Sequence, residues 1–96
     1  MRRYELMLVL RPDVADDKSQ AIVDRTTRGI VSAGGQIVKV APWGRRRLAY
    51  PIKKRTDGIY AVVQFTAESA TAKELERQLS LNETVLRTKL IRPDAH

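Results

Sequence analysis

Three consecutive arginines, Arg45, Arg46 and Arg47, stand in front of the stretch Leu48-Ala49-Tyr50-Pro51-Ile52 and are followed by Lys53, Lys54 and Arg55. Such a density of guanidinium and ammonium groups suits one chemistry well. Arginine forks grip phosphate oxygens bidentately, and lysines act as mobile point charges. From Arg45 to Arg55 there are six cations and no acid, so neighbours in sequence cannot cancel their field within a Debye length. The apolar residues among them let a strand be buried, which places the charge on a folded surface suited to polyanions. The plain alternative is a solvated, solubilising edge.

Other chemistries find little support. The one histidine, His96, is the last residue of the chain, where no general base is held in place. Cysteine is absent, and Ser19, Ser32, Ser69 and Ser80 fall in or near helical patterns with no histidine partner or glycine elbow. Asp13, Asp16, Asp17 and Asp24 cluster at a predicted helix start, where the helix dipole accounts for them without a metal, and no EF-hand spacing appears. Gly34-Gly35 follows a helical pattern instead of opening one and lacks the Walker ending, so it reads as a helix stop and not a phosphate loop. The sequence therefore predicts no enzyme, no cofactor, no metal and no small-molecule substrate. Trp43, beside Gly44, has two readings: it stacks on a base or a partner's ring, or it covers the end of the core.

A chain of 96 residues, 30% of them charged and 43% hydrophobic, has the material for one modest core and argues against disorder. One domain over residues 1–96, ending in a short tail at 92–96, is expected. Its formal charge of +7 favours nucleic acid or another anionic partner. Arg2 and Arg3 precede an apolar run that ends at Leu10 before Arg11-Pro12, too short for a signal peptide or a membrane span. A soluble, cytoplasmic protein is expected.

The elements that must hold the basic segment follow from periodicity. Leu6, Leu8 and Leu10 alternate with Glu5, Met7 and Val9 in a first strand ended by Pro12. Ile22, Val23, Thr26, Ile30 and Ala33 recur at helical spacing before the Gly34-Gly35 stop. A second strand starts at Gln36, is interrupted at Pro42 and Gly44, and resumes through Leu48 and Tyr50. That pattern predicts a bulged edge strand. The span from Lys53 to Gly58 reads as a hairpin loop, and Ile59, Ala61, Val63 and Phe65 form the clearest alternating set, with Tyr60, Val62 and Gln64 opposite. Thr71 to Glu74 fits a capping box near the start of a second helix, whose inner stripe is Ala72, Leu75 and Leu79. A last strand over 84–92 points Leu86, Thr88 and Leu90 inward and Arg87, Lys89 and Ile91 outward.

The order is βαββαβ. With right-handed crossovers this predicts an α+β, ferredoxin-like sandwich: a four-stranded antiparallel sheet with two helices on one face. The first and third strands are central, and the second lies at an edge. The other face stays open and carries Glu5, Met7, Tyr60, Val62, Arg87 and Lys89. In a regular strand Arg46, Leu48 and Tyr50 share one side, and Arg45 and Arg47 the other, so two arginines are expected to reach phosphates while one anchors locally or meets a partner.

The segment from Gly44 to Lys53 resembles the signature of the ribosomal protein S-six family of the bacterial small subunit, a pattern of glycine, basic residues, Leu-Ala-Tyr, Ile and Lys. The opening Met1-Arg2-Arg3-Tyr4-Glu5, the Gly34 stop and Asp57-Gly58 are similar as well. The resemblance implies the same ferredoxin-like fold and a structural, noncatalytic role in the small ribosomal subunit. It further implies binding to the central domain, the platform, of small-subunit rRNA together with a companion, ribosomal protein S-eighteen, and no membrane. On this chain the matching contact candidates for RNA or partner are Arg2, Arg3, Arg45, Arg46, Arg47, Tyr50 and Lys53. Charge and expected exposure add Lys54, Arg55, Arg87, Lys89 and Arg92. An RNA-recognition module that stacks single-stranded bases shares the topology, but Asp57-Gly58-Ile59-Tyr60-Ala61-Val62 lacks its basic residue and two of its aromatics.

Overall fold

Leu6, Leu8 and Leu10 are fully buried, and so are Val63 and Phe65 across from them. Their period of two is what a strand with one covered face requires. In a computed structural model of the chain, which describes residues 1–14, 16–52 and 55–92, the elements are β1 (Arg2–Leu10), α1 (Asp16–Ser32), β2 (Gln36–Ile52), β3 (Arg55–Ala67), α2 (Ser69–Ser80) and β4 (Val85–Ile91). The sheet has the order β2-β3-β1-β4, and every paired neighbour is antiparallel. This is the expected ferredoxin-like arrangement, with β1 and β3 central and β2 at an edge.

Helix α1 presents Val23, Thr26 and Ile30 to the sheet. Buried Thr26 is satisfied locally, its Oγ1 donating to the Ile22 carbonyl at 2.8 Å. The helix stops by a left-handed residue, Gly34, at φ 90°. Gly35 N–H reaches back to the Ile30 carbonyl at 2.9 Å and Gly34 N–H to that of Val31 at 3.0 Å, a paired closure that satisfies carbonyls the helix end leaves open. Ala33, expected to continue the inner stripe, is exposed in this turn. Ala72 and Leu79 of α2 complete the core with Tyr4 and Phe65, whose rings stack at 5.6 Å.

Three expectations need correction. The hairpin loop is shorter than predicted: β3 already begins at Arg55, and Asp57 and Gly58 pair with Arg47 and Arg46 inside the ladder. Lys53 and Lys54 lie outside the described residues, as do residues 93–96. The capping box does not form, because α2 starts at Ser69 with Glu68 as N-cap and no side-chain cap bond, and Glu74 instead accepts hydrogen bonds from Arg77 and Gln78. In β4 a register shift sets Val85 opposite Leu10 and leaves Leu86 without a pair, so Val85 completes the inner row in place of Leu86.

Candidate nucleic-acid interface

The face of the sheet away from the helices is built by residues that alternate with the core set: Met7 and Val9 on β1, Tyr60 and Val62 on β3, Arg87 and Lys89 on β4. How the arginine triplet joins them is decided by a bulge in β2. Pro42 pairs with Ala61 and Gly44 with Tyr60, so Trp43 is an extra residue, and Gly44 has φ 77°, a conformation that glycine takes without the Cβ clash of other residues. One inserted residue reverses the alternation beyond it. Arg45 then pairs with Ile59 and follows the helix side, while Arg46 pairs with Gly58 and follows the open side.

The three arginines consequently do different things. Arg45 Nη1 donates to Asp57 Oδ2 at 2.7 Å and Nη2 to the Pro12 carbonyl at 3.0 Å, tying β2 to β3 and to the end of β1. It is the locally anchored one. Arg46 and Arg47 are exposed, and among the described residues neither makes an ion pair or hydrogen bond. Both line one shallow hollow with Trp43 and Tyr60. Those two rings lie 6.4 Å apart between centroids with planes 7° from parallel, and Trp43 remains 47% exposed. Trp43 is thus a surface ring resting beside Tyr60, not a lid on the core.

Strands β2 and β3 outrun β1, whose last pair with β3 is Leu10 with Ile59, so residues beyond Arg46 form a two-stranded arm. A straight arm would carry Tyr50, six residues past Gly44, about 20 Å away from the row of Val9 and Tyr60. Yet Arg87, which pairs with Val9 on the far side of the sheet, donates from Nη1 to Tyr50 Oη at 2.5 Å. The arm therefore curls back over the open face. Gly58 permits this closeness, since a Cβ there would stand 2.7 Å from Val9 Cγ1 and 3.7 Å from Leu48 Cδ2. The Arg87 guanidinium carbon is 6.0 Å from the Tyr50 ring centroid, at the outer limit of cation–π contact, so the hydrogen bond is the stronger link. Under the arm lies a groove of about 180 Å³ lined by Met7, Val9, Leu48, Tyr50, Arg87 and Lys89 among others. The face predicted to be open is thus partly covered by the chain itself, with Val9 only 3% exposed.

The predicted contact residues fall into two groups. Arg46, Arg47, Tyr50, Arg87 and Lys89 gather around the arm. Arg2 and Arg3 pair with Ala67 and Thr66, at the opposite end of the sheet, and Arg92 follows Ile91, which pairs with Glu5 at that same end. Thr66 and Ile59 are seven residues apart on β3, so Arg3 lies about 23 Å from the row where the arm begins, and Lys89, opposite Met7 and three residues before Arg92, stands between the two ends. Arg2 and Arg3 therefore lie apart from the arginine triplet in the fold. Arg55 closes the ladder with Ile52. Lys39, which sequence reasoning passed over, shares a hollow with Glu5, Trp43 and Val62. Its spacing of two from Ala41 and of four from Trp43 was the available signal. Among the described residues no helix is long and apolar enough to cross a membrane, and no group of three or more His, Cys, Asp or Glu side chains could hold a metal ion.

Comparison with known proteins accords with this geometry. Residues 3–92 match the family model described as ribosomal protein S6. The small ribosomal subunit protein bS6 of Paenarthrobacter aurescens (strain TC1) is 57% identical over 94 residues, covering 98% of this chain and 93% of that protein. Its namesake from Streptomyces coelicolor is 47% identical over the full length of both. The crystal structure of 30S ribosomal protein S6 from Thermotoga maritima superposes with a TM-score of 0.89 at 32% identity, covering 95% of this chain and 86% of that one. By sequence along nearly its whole length and by fold, the chain belongs to the ribosomal protein S6 family.

Proposed function

We propose that this chain is a structural, noncatalytic constituent of the small ribosomal subunit, acting in the cytoplasm as a single domain, and that it binds the platform of small-subunit rRNA together with ribosomal protein S-eighteen. The observation that carries the reading is the arm end of the open face. Arg46 and Arg47 line the hollow there and Lys89 stands nearer mid-sheet opposite Met7, all three exposed with no carboxylate partner among the described residues, while Arg45 is held by Asp57. Burying such charges against a polyanion releases counterions and needs no rearrangement of internal pairs. Arg2 and Arg3, at the other end of the sheet about 23 Å from the arm, add a separate point of contact, with Arg92 on their side. Two points at a fixed distance select folded RNA by shape, not by reading bases.

The companion protein enlarges the contact area and makes RNA association cooperative. A footprint on small-subunit rRNA tests this: protection is expected in the platform and strengthened when S-eighteen is present. Should about six cations engage phosphates, log affinity falls with log salt at a slope of about four to five in magnitude. A slope near zero, or no protection with both proteins at low salt, defeats the reading.

A further inference from the structure

We propose that Trp43 and Tyr60 form a stacking shelf for one unpaired nucleobase of the bound RNA, with Arg46 and Arg47 holding the phosphate of that nucleotide. This deepens the RNA-binding reading above and rests on it. At 6.4 Å between centroids the two rings form an offset stack, which overlaps only part of each ring. With planes only 7° apart, aromatic face is left for a third ring in the same orientation. Trp43 borders Val62, which is 4% exposed, yet keeps 47% of its own surface open.

The bulge supplies the second half of the site. Because Gly44 reverses the alternation, Arg46 comes to the side of the sheet that carries Tyr60, and Arg46 and Arg47 line the same hollow as the two rings. A regular strand from Trp43 onward would have sent Arg46 to the helix side and Arg45 to the shelf. An unpaired nucleotide offers a π-face and a phosphate together, and this hollow presents an aromatic face and two guanidinium groups with no internal partner among the described residues. Charge complementarity therefore favours a nucleotide over an aromatic side chain of a protein. The shelf serves one base only, because the neighbouring positions on β1, Met7 and Val9, are not aromatic.

Trp43 is the only tryptophan of the chain, so its fluorescence reports on the shelf alone. The full chain is titrated with a short single-stranded oligoadenylate, a fully paired RNA duplex and inorganic polyphosphate, and with a platform rRNA fragment in the presence of S-eighteen. Oligoadenylate is expected to quench Trp43, while duplex and polyphosphate, which carry phosphates without a free base face, leave its emission largely unchanged. Trp43→Leu is expected to weaken oligoadenylate binding about tenfold, and Trp43→Phe to restore most of it. Arg46→Ala lowers the salt slope by about 0.7. Unchanged oligoadenylate affinity in Trp43→Leu, with native circular dichroism, overturns the shelf. So does equal quenching by polyphosphate, or a Trp43→Leu defect confined to S-eighteen binding. If the platform fragment is bound with a steep salt slope whatever residue stands at 43, the shelf falls and the ribosomal reading survives. If no RNA is bound even with the companion present, both fall.

Discussion

The two faces of β1 and β3 are made by the same strands and finished by different means. On the helix side, Leu6, Leu8, Leu10, Val63 and Phe65 are sealed by α1 and α2, and three cations at its margins have carboxylates, Arg45 with Asp57, Arg77 with Glu74 and Arg11 with Asp13, while Lys18, Arg25, Arg28 and Lys73 on the helices make no ion pair among the described residues. On the other side the cover is partial and comes from the chain's own arm, which closes over Val9 but leaves Tyr50 57% exposed. Arg46, Arg47 and Lys89 there have no such acid among the described residues. One face is closed by the fold's own helices, and the other is left presenting cations to solvent. Stability should therefore be concentrated on the first and binding on the second.

The largest expected effect tests that division directly. Phe65→Ala removes a fully buried ring stacked on Tyr4 and is expected to cost about 3–5 kcal/mol in chemical denaturation. Tyr60→Leu, one position class away on the opposite face, should cost about 1 kcal/mol or less because the ring is half exposed and no core void opens. Equal losses in the two variants would mean that the outer face is a second core, and the division would be wrong.

Next in size is the place where the faces meet the arm. Gly58→Ala puts a Cβ 2.7 Å from Val9 Cγ1 and 3.3 Å from the Leu10 carbonyl oxygen, and Val9 is β-branched and stiff. Overpacking of this kind is expected to cost about 1–3 kcal/mol, and the arm should lift. Loss of the Tyr50–Arg87 contact, followed by chemical shifts of the Tyr50 ring, is the specific sign. A destabilised variant that keeps this contact would show that Gly58 does not set the arm's closeness.

Much of this division could be read before any coordinates. The period-two runs in β1 and β3 named the inner row, and proline and glycine inside β2 announced a bulge at an edge, because both features are local and steric. What could not be read depends on distant chain. The extent of the β2–β3 ladder past Arg47 is set by pairing, so Thr56, Asp57 and Gly58 looked like loop by composition alone. Tyr50 meets Arg87 across two intervening strands, and no spacing in sequence encodes that. The place of Arg2 and Arg3 was out of reach for a related reason: charge adds up along a sequence, but strand register decides which end of the sheet they occupy. The capping box failed because α2 begins before it, at Ser69, so Thr71 is already inside the helix and Glu74 turns to Arg77 and Gln78 instead.

Smaller still, and sharper, is the contrast between adjacent arginines. Arg45→Ala removes an exposed ion pair and a bond to the Pro12 carbonyl, so a stability loss of about 0–1 kcal/mol is expected with the salt dependence of RNA binding nearly unchanged. Arg46→Ala should do the reverse, leaving stability alone and reducing the slope by about 0.7–0.9. If both variants lower the slope equally, the bulge does not sort the triplet between faces.

The least effect belongs to the paired charges of the helix side and concerns pH. Hydrogen bonds from Arg77, and next from Gln78, hold the Glu74 carboxyl below its ordinary value of 4.5. A carboxylate whose pKa is lower folded than unfolded adds stability above the unfolded value and loses it as pH falls through the folded one. The stability gap between the native chain and Arg77→Ala should therefore narrow below about pH 4.5. It should not vanish, because Arg77 also lies in the last turn of α2, where a cation favours the helix dipole whatever the state of Glu74. Carboxyl titration by NMR checks the cause: Glu74 moves up toward 4.5 in Arg77→Ala, yet stays somewhat below it while Gln78 still donates. A Glu74 that titrates identically in both proteins would mean that the helix-side charges are no better partnered in solution than those of the open face.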